Sequence, residues 1–217
     1  MSAPSARGAV PRRATARKTG EKCSGLLATL QQTIKERRSE ILGFCQDLVR
    51  IPTENPPGRA YRECADRIRL ELNRLDISCE MVEAPGHADS PRRNLLGFHG
   101  EGSRTLYFHG HYDVVPAQAA TQFNPEVREG RLFGRGSADM KSGLASMIYA
   151  VHLLKHCDVP LAGRIGLCIV ADEETSGPGG SAHLDGLGML GRDAVGMLTA
   201  EPTGGVIWNA SRGALTL

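Results

Sequence analysis

Several apolar runs in this chain end in acidic residues, and this repeated pattern constrains the fold more than any other feature. The acids that follow such runs are Asp113, Glu173, Glu174 and Glu201. In open α/β sheets, ligands bind in the crevice beyond the carboxyl ends of the strands. The pattern therefore predicts an α/β fold in which carboxylates gather at one edge of a sheet.

The apolar segment Thr105–Pro116 adds imidazole groups to this pattern. His109, His111 and Asp113 lie two residues apart, so an extended strand carries all three on one face. Polar groups on an apolar strand are costly to bury without a partner, and a metal ion would be such a partner. Carboxylates alone favour Mg²⁺ or Ca²⁺, whereas carboxylates with imidazole favour Zn²⁺, Mn²⁺ or Co²⁺. With His111 in the set, we expect zinc.

Hydrophobic periodicity predicts that helices and strands alternate along the chain. Turn residues interrupt the pattern at Ile51–Gly58, and a Gly-rich charged stretch lies between Pro116 and Lys141. The expected helices cover residues 26–49, 64–75, 144–154 and 181–190, and the expected strands cover residues 78–82, 94–98, 105–115, 164–171, 195–199, 206–209 and 214–217.

Positive charge is concentrated at the start of the chain. Residues 1–22 hold six basic residues and one acid, a net charge of +5, which leaves −3 on the remainder for the formal total of +2. We expect residues 1–24 to form a disordered basic leader. An organelle transit peptide or an upstream false start of translation would look the same. A mildly acidic body does not resemble a nucleic-acid-binding domain, and the chain lacks an apolar run of about 18 residues for a membrane span.

The six cysteines show neither Cys-x-x-Cys spacing nor the density of a disulfide scaffold. Three of them, Cys45, Cys64 and Cys168, fall on apolar positions of helix or strand patterns. We therefore expect reduced, packed thiols and a cytoplasmic location.

Four motifs in order then resemble a known family. They are His111-Tyr-Asp-Val-Val-Pro116, Gly134-Arg-Gly-Ser-Ala-Asp-Met-Lys-Ser-Gly143, Asp172-Glu-Glu-Thr-Ser-Gly177 and Glu201-Pro-Thr203. Together they resemble the co-catalytic zinc amidohydrolases and peptidases, a family that includes acetylornithine deacetylase, succinyl-diaminopimelate desuccinylase, aminoacylase and glutamate carboxypeptidase. The turn at Ile51–Gly58 also looks like the first conserved loop of that family.

The resemblance implies a role for each matching residue. His111 and Glu201 would bind one zinc, Glu174 would bind a second, and Asp139 would bridge both. Glu173 would be the general base for a water held between the metals, and Asp113 would orient the imidazole of His111. The implied reaction is hydrolysis of an amide bond in an N-acyl amino acid or small peptide, with zinc, or Co²⁺ or Mn²⁺, as cofactor. The peptide bond Asp139–Met140 would be cis.

The resemblance also implies a three-layer helix-sheet-helix catalytic domain, present here as a truncated form without the lid or dimerisation domain. Residues 25–210 would form the N-terminal part of the catalytic domain, and residues 211–217 would begin the strand that leads to the lid. The family's late histidine ligand would then be absent, so we expect a weakly held second metal, an exposed apolar face, and a homodimer only in a form that carries the lid.

Several of these residues have other interpretations. His109 is expected to be a satisfied buried histidine, and Asp172 a loop or helix-cap acid. Glycines at positions 134, 136 and 143 do not have the Gly-x-Gly-x-x-Gly spacing of a dinucleotide loop. The competing functional hypothesis is a catalytically inactive module with a binding or regulatory role.

Overall fold

Five strands form the main sheet of this protein, described here from a computed structural model that covers residues 13–85, 90–191 and 193–209. The strands are β1 (Cys79–Ala84), β2 (Arg92–Gly100), β3 (Thr105–His111), β6 (Arg164–Val170) and β7 (Ala194–Thr199), in the spatial order β1-β2-β6-β3-β7. A separate hairpin pairs β4 (Glu126–Arg128) with β5 (Arg131–Phe133).

Strand direction brings three chain segments to one edge of the sheet. β3 runs parallel to both β6 and β7, whereas β2 is antiparallel to β6 and β1 is antiparallel to β2. The carboxyl ends of β6, β3 and β7 therefore lie side by side. The expected edge of the sheet, with an acid after each strand, is confirmed.

Helices α2 (Arg38–Arg50), α3 (Tyr61–Arg74), α4 (Ser142–His156) and α5 (Ser181–Gly186) cover both faces of the sheet. The chain also has a first helix, α1 (Arg13–Glu36), a 3₁₀ turn at Ala120–Phe123 and a kinked turn at Ser137–Lys141. Apolar side chains of α2, α3 and α4 pack with Leu95, Leu167 and Ile169 on one face. Leu184 of α5 packs with Leu96 and Cys168 on the other. This is the predicted three-layer helix-sheet-helix architecture.

The first helices differ from the sequence-based expectation. The chain divides into a unit up to Arg38 and a unit from Ser39 onward, and α1 lies in the first unit. α1 begins at Arg13, inside the leader that we expected to be disordered, and ends at Glu36 instead of continuing to Val49. The break falls in the charged stretch between Ile34 and Ile41, which has no apolar side chain to hold another turn against a core. Residues 1–12 lie outside the described part.

Two predicted strands also differ. β3 ends at His111 rather than Val115, because the next residues leave the sheet to contact the Ile51–Gly58 turn through the Glu54–Val114 bridge. Residues 206–209 are not a strand, and Ile207 is 96% exposed. β-propensity reflects packing against neighbouring strands, which this exposed segment lacks within the described residues. The expected strand at 214–217 lies outside the described residues.

An exposed apolar surface lies on β7, as expected. Val195, Met197 and Leu198 are each more than half exposed, and Trp208 follows at 69%. Buried thiols are also confirmed for Cys45, Cys64 and Cys168. Among the described residues, no helix is both long and apolar enough to cross a membrane.

A buried carboxylate on α3 gives a stability prediction. Glu71 is 3% exposed and accepts hydrogen bonds from Tyr149, Arg67 and Arg74 at 2.7, 2.9 and 2.5 Å. Burial by itself raises the pKa of Glu71, but the bonds from Arg74, Tyr149 and Arg67 lower it below its usual range. We expect Glu71→Gln to reduce the free energy of unfolding by about 1–3 kcal/mol at pH 7.

The effect of Glu71→Gln on the free energy of unfolding should decrease as the pH falls. A depressed folded-state pKa contributes stability above the unfolded pKa of about 4.3, and that contribution is lost as the pH falls through the folded value. Urea unfolding of both proteins at pH 7 and pH 3 would measure it. The difference between wild type and Glu71→Gln should shrink at pH 3, and a constant difference would contradict this account.

Candidate metal centre

His111 forms the floor of a cluster of carboxylates at the carboxyl edge of the sheet. Its side chain is 1% exposed, and its Nε2 atom lies 3.3 Å from Asp139 Oδ1, 3.4 Å from Glu201 Oε1 and 3.5 Å from Glu173 Oε2. These carboxylates come from the kinked turn before α4, from the residues after β7 and from the loop after β6. The side chains of Asp139, Glu173 and Glu201 are 51%, 48% and 34% exposed, so the cluster opens to solvent above the buried ring.

Three of these groups can share one cation. The potential ligand atoms of His111, Asp139 and Glu201 lie within 4.8 Å of one another. Among the described residues, this is the one group of three or more His, Cys, Asp or Glu side chains placed closely enough to share a metal ion. One imidazole with two carboxylates is a donor set that zinc, manganese and cobalt accept. The residues present therefore fit the metal that the sequence predicts.

The electrostatics of the cluster favour positive charge at the same place. Burial lowers the pKa of His111, but hydrogen bonds to Asp113, Asp139 and Glu201 outweigh it and raise that pKa to about 12. The hydrogen bond from His111 likewise lowers the pKa of Asp139. The carboxylates that stabilise the proton on His111 would also stabilise a divalent cation at the same place.

Asp113 lies behind the imidazole and is completely buried. Its Oδ1 atom is 3.3 Å from His111 Nδ1, so Nδ1 can carry the proton and Nε2 can face the cluster. The carboxylate also accepts hydrogen bonds from the backbone N–H groups of Glu173 and Glu174, at 3.2 and 3.0 Å. Burial raises the pKa of Asp113, but the bonds from His111 and Asn55 bring it below its usual range.

Glu173 and Glu174 differ in position although they are neighbours in sequence. Glu173 belongs to the carboxylate cluster, and burial together with the charges of Glu201, Asp113 and Asp139 raises its pKa against the opposing effect of His111. Glu174 accepts a hydrogen bond from the Val115 N–H at 3.1 Å and is not part of the three-ligand cluster. Burial and nearby acids, Asp139 first, raise the pKa of Glu174 to about 7.

The comparisons with known proteins bear on the same residues. Residues 107–209 match the model of peptidase family M20/M25/M40. Over 186 residues, 81% of the chain, the sequence is 34% identical to a succinyl-diaminopimelate desuccinylase of Rhodospirillum centenum (strain ATCC 51521 / SW). The chain belongs to this peptidase family. A desuccinylase of Herminiimonas arsenicoxydans is 31% identical over 189 residues, 82% of the chain.

Solved structures share the fold of this chain. Human carnosine dipeptidase 1 superimposes with a TM-score of 0.70 at 21% identity, covering 81% of this chain and 41% of that one. The metallo-carboxypeptidase Sso-CP2 of Sulfolobus solfataricus gives 0.62 at 19% identity, covering 74% of this chain and 37% of that one. The chain spans about half the length of the curated relatives it matches, 47% and 48%.

The Asp139–Met140 peptide bond and the surroundings of His109 both bear on the expected site. The peptide bond Asp139–Met140 is cis, as the family resemblance implies. His109 is separate from the cluster, since its Nε2 atom lies 2.7 Å from Ser181 Oγ. Burial, and then the charge of His111, lowers the pKa of His109. His109 therefore has a partner, as expected, but it is half-buried rather than buried.

Sequence reasoning missed a group of residues behind the cluster. Asp172, which we expected to be a loop or cap acid, is 4% exposed and pairs with Arg92 at 3.3 Å. Asn55 donates a hydrogen bond to Asp113 Oδ2 at 2.8 Å. An Asn in a Pro-rich turn is an ordinary turn residue, and Arg92 lies far away in sequence, so no local signal marked either residue.

Close packing at the start of α4 fixes the position of Glu201. A Cβ added to Gly143 would lie 2.6 Å from the backbone oxygen of Ala200, the residue before Glu201. Because this neighbour is backbone, Gly143→Ala must displace Ala200 and Glu201, at a cost of about 1–3 kcal/mol. If about 1.4 kcal/mol of that cost is lost from the binding free energy, the Zn²⁺ affinity of the cluster falls roughly tenfold, and this is the change that we expect.

Gly43→Ala in α2 is the matched control for this prediction. A Cβ at Gly43 meets nothing within 4 Å, so the substitution should stabilise the helix by roughly 0.5–1 kcal/mol and leave Zn²⁺ binding unchanged. Competition with a chromophoric chelator would measure both affinities. Equal affinities for Gly143→Ala and wild type would show that Glu201 does not hold the metal.

Proposed function

We propose that this chain acts as a metal-dependent hydrolase that cleaves an amide bond of an N-acyl amino acid or small peptide. One observation carries the proposal: His111, Asp139 and Glu201 offer three ligand atoms within 4.8 Å, with the Glu173 carboxylate 3.5 Å from the same imidazole nitrogen. Membership of a peptidase family that includes desuccinylases supports it.

In this proposal the acids divide into ligands and a base. His111, Asp139 and Glu201 would hold one zinc ion, and Asp139 with Glu174 would hold a second, with Co²⁺ or Mn²⁺ as possible replacements. When bound, divalent ions would supply Lewis acidity, which makes water a better nucleophile and stabilises negative charge on the amide oxygen. Asp113 would keep the proton on His111 Nδ1 and leave Nε2 available as a ligand.

Glu173 would carry the proton transfers. Its carboxylate would take a proton from the attacking water and pass it to the leaving amine. Its raised pKa favours this role, because a base with a pKa closer to neutrality both accepts and returns a proton more readily. Its half-exposed side chain can reach a substrate, whereas His111 beneath it stays buried.

A substrate panel with defined metals would test the proposal. N-succinyl and N-acetyl amino acids and simple dipeptides would be assayed after chelation and after addition of Zn²⁺ or Co²⁺. The proposal predicts turnover that is lost on chelation and returns with metal. Metal binding without turnover on any of these substrates would overturn it and favour a binding or regulatory module.

A further inference from the structure

Three buried polar side chains lie behind the candidate metal centre without being potential ligands of it. Asn55, Arg92 and Asp172 are 2%, 8% and 4% exposed. A buried ion pair is weak evidence for stability, because apolar replacements are often neutral or stabilising. The contacts of these three residues with the neighbouring loops therefore indicate their role better than their contribution to stability does.

Asn55 connects two buried carboxylates. Its Nδ2 atom lies within hydrogen-bond distance of Asp113 Oδ2 at 2.8 Å, Asp172 Oδ1 at 3.2 Å and Thr175 Oγ1 at 3.1 Å. Its backbone N–H donates to the Val114 carbonyl at 2.8 Å, which fixes it beside the segment that carries Asp113. A neutral amide donor at this place holds together two acids that would otherwise repel each other.

Arg92 extends the connection to β2 and to the Pro-rich turn. Its guanidinium pairs with Asp172 at 3.3 Å and donates to the carbonyls of Ser90 and Pro57, at 2.9 and 3.2 Å. The same group lies over the ring of Tyr61, 5.0 Å from its centroid. Arg92 thus joins three separate chain segments with one planar group, a geometry that lysine cannot reproduce.

The loop that carries Glu173 and Glu174 is closely fitted around Asp172. The carboxylate accepts the Gly179 N–H at 3.2 Å, and the Asp172 carbonyl accepts the Gly177 N–H at 2.9 Å. A Cβ at Gly177 would overlap the Asp172 carboxylate, and a Cβ at Gly179 would lie 2.8 Å from Arg92 Cγ. The two glycines leave the space that this buried pair occupies.

We propose that Asn55, Arg92 and Asp172 are positioning residues that hold the 171–180 loop against Asp113. In this arrangement the Glu173 and Glu174 N–H groups reach the Asp113 carboxylate, and the Glu173 side chain stays beside His111. The inference rests on the proposed function, since it assigns Glu173 as the group to be positioned. Losing the network should disturb this loop and leave the first metal position, His111–Asp139–Glu201, in place.

Two near-isosteric substitutions test the network. Asp172→Asn removes the charge opposite Arg92, and Asn55→Asp replaces the amide donor between two acids by a third carboxylate. Hydrogen exchange of the backbone amides in residues 171–180 would report the loop, and Co²⁺ titration by visible absorption would report the first metal position. We expect loop exchange to accelerate about tenfold or more in both variants, with the Co²⁺ dissociation constant of Asp172→Asn within about threefold of wild type.

Arg92→Lys is a milder variant for use if the others do not fold, and it should change loop exchange in the same direction. Glu71→Gln is the matched control, because it breaks a buried charge network of similar size between α3 and α4. It should not accelerate exchange in residues 171–180 more than elsewhere in the second unit. With a substrate of the panel that the wild-type chain hydrolyses, Asp172→Asn should lower kcat while KM stays within about twofold of the wild-type value.

Two results would overturn the inference. One is wild-type loop exchange in the folded Asp172, Asn55 and Arg92 variants. The other is a loss of Co²⁺ affinity in Asp172→Asn as large as its loss of loop protection, which would make the network a general support of the cluster. Absence of turnover in the wild-type chain would overturn the proposed hydrolase and leave the exchange and titration results interpretable by themselves.

Discussion

Replacing His111 by alanine is expected to lower the Zn²⁺ affinity of this chain by on the order of 100-fold or more. A complete set of structural zinc ligands contributes about 10–16 kcal/mol of apparent binding free energy, and a tenfold change in affinity corresponds to about 1.4 kcal/mol. His111 is the nitrogen ligand of the proposed set and lies within 3.5 Å of three of the acids. Its loss also leaves Asp113 buried without the imidazole.

The matched control is His109→Ala, two residues earlier on the same strand. His109 contacts Ser181 and is not one of the three potential ligands His111, Asp139 and Glu201, so this variant should bind Zn²⁺ within about threefold of wild type. Isothermal titration of each folded protein after chelation would give the affinities. If His109→Ala loses binding and His111→Ala retains it, the metal lies elsewhere than proposed.

Replacing Glu173 by glutamine is expected to reduce kcat about 10²- to 10⁴-fold, the usual contribution of a positioned general base. Glutamine keeps the shape of the side chain but cannot accept a proton from water. Its backbone N–H can still donate to Asp113, so the loop should remain in place. Because Glu173 is not one of the three close ligands, Zn²⁺ affinity should change little.

Glu126→Gln provides the control for this second prediction. Glu126 lies in the exposed β4–β5 hairpin, so its substitution should leave both kcat and metal binding unchanged. Steady-state kinetics with the best substrate of the panel would measure the effect. A Glu173→Gln variant with kcat within threefold of wild type would remove Glu173 from the role of base.

The strands and their acidic ends could be predicted because both depend on short-range patterns. Apolar runs mark β3, β6 and β7, and parallel pairing then brings their carboxyl ends together. The approach of Asp139 to His111 came from the family resemblance instead. The Ser137–Lys141 turn that carries Asp139 contains non-helical backbone at Asp139 and Met140, and periodicity does not predict such a turn.

Other features depended on tertiary contacts that leave no local trace. The connection from Arg92 to Asp172 and Asn55 joins residues up to 117 positions apart. The expected strand at 206–209 relied on β-propensity, and propensity gives way to context where a segment remains exposed. Long-range polar contacts and edge segments were therefore the part of the fold that the sequence did not reveal.

Anomalous X-ray diffraction at the zinc edge, from crystals of this chain grown with Zn²⁺, would locate the metal. We expect a peak about 2.0–2.2 Å from His111 Nε2 and from carboxylate oxygens of Asp139 and Glu201. A strong peak at other side chains, with none between these three, would show that these residues do not form the metal site.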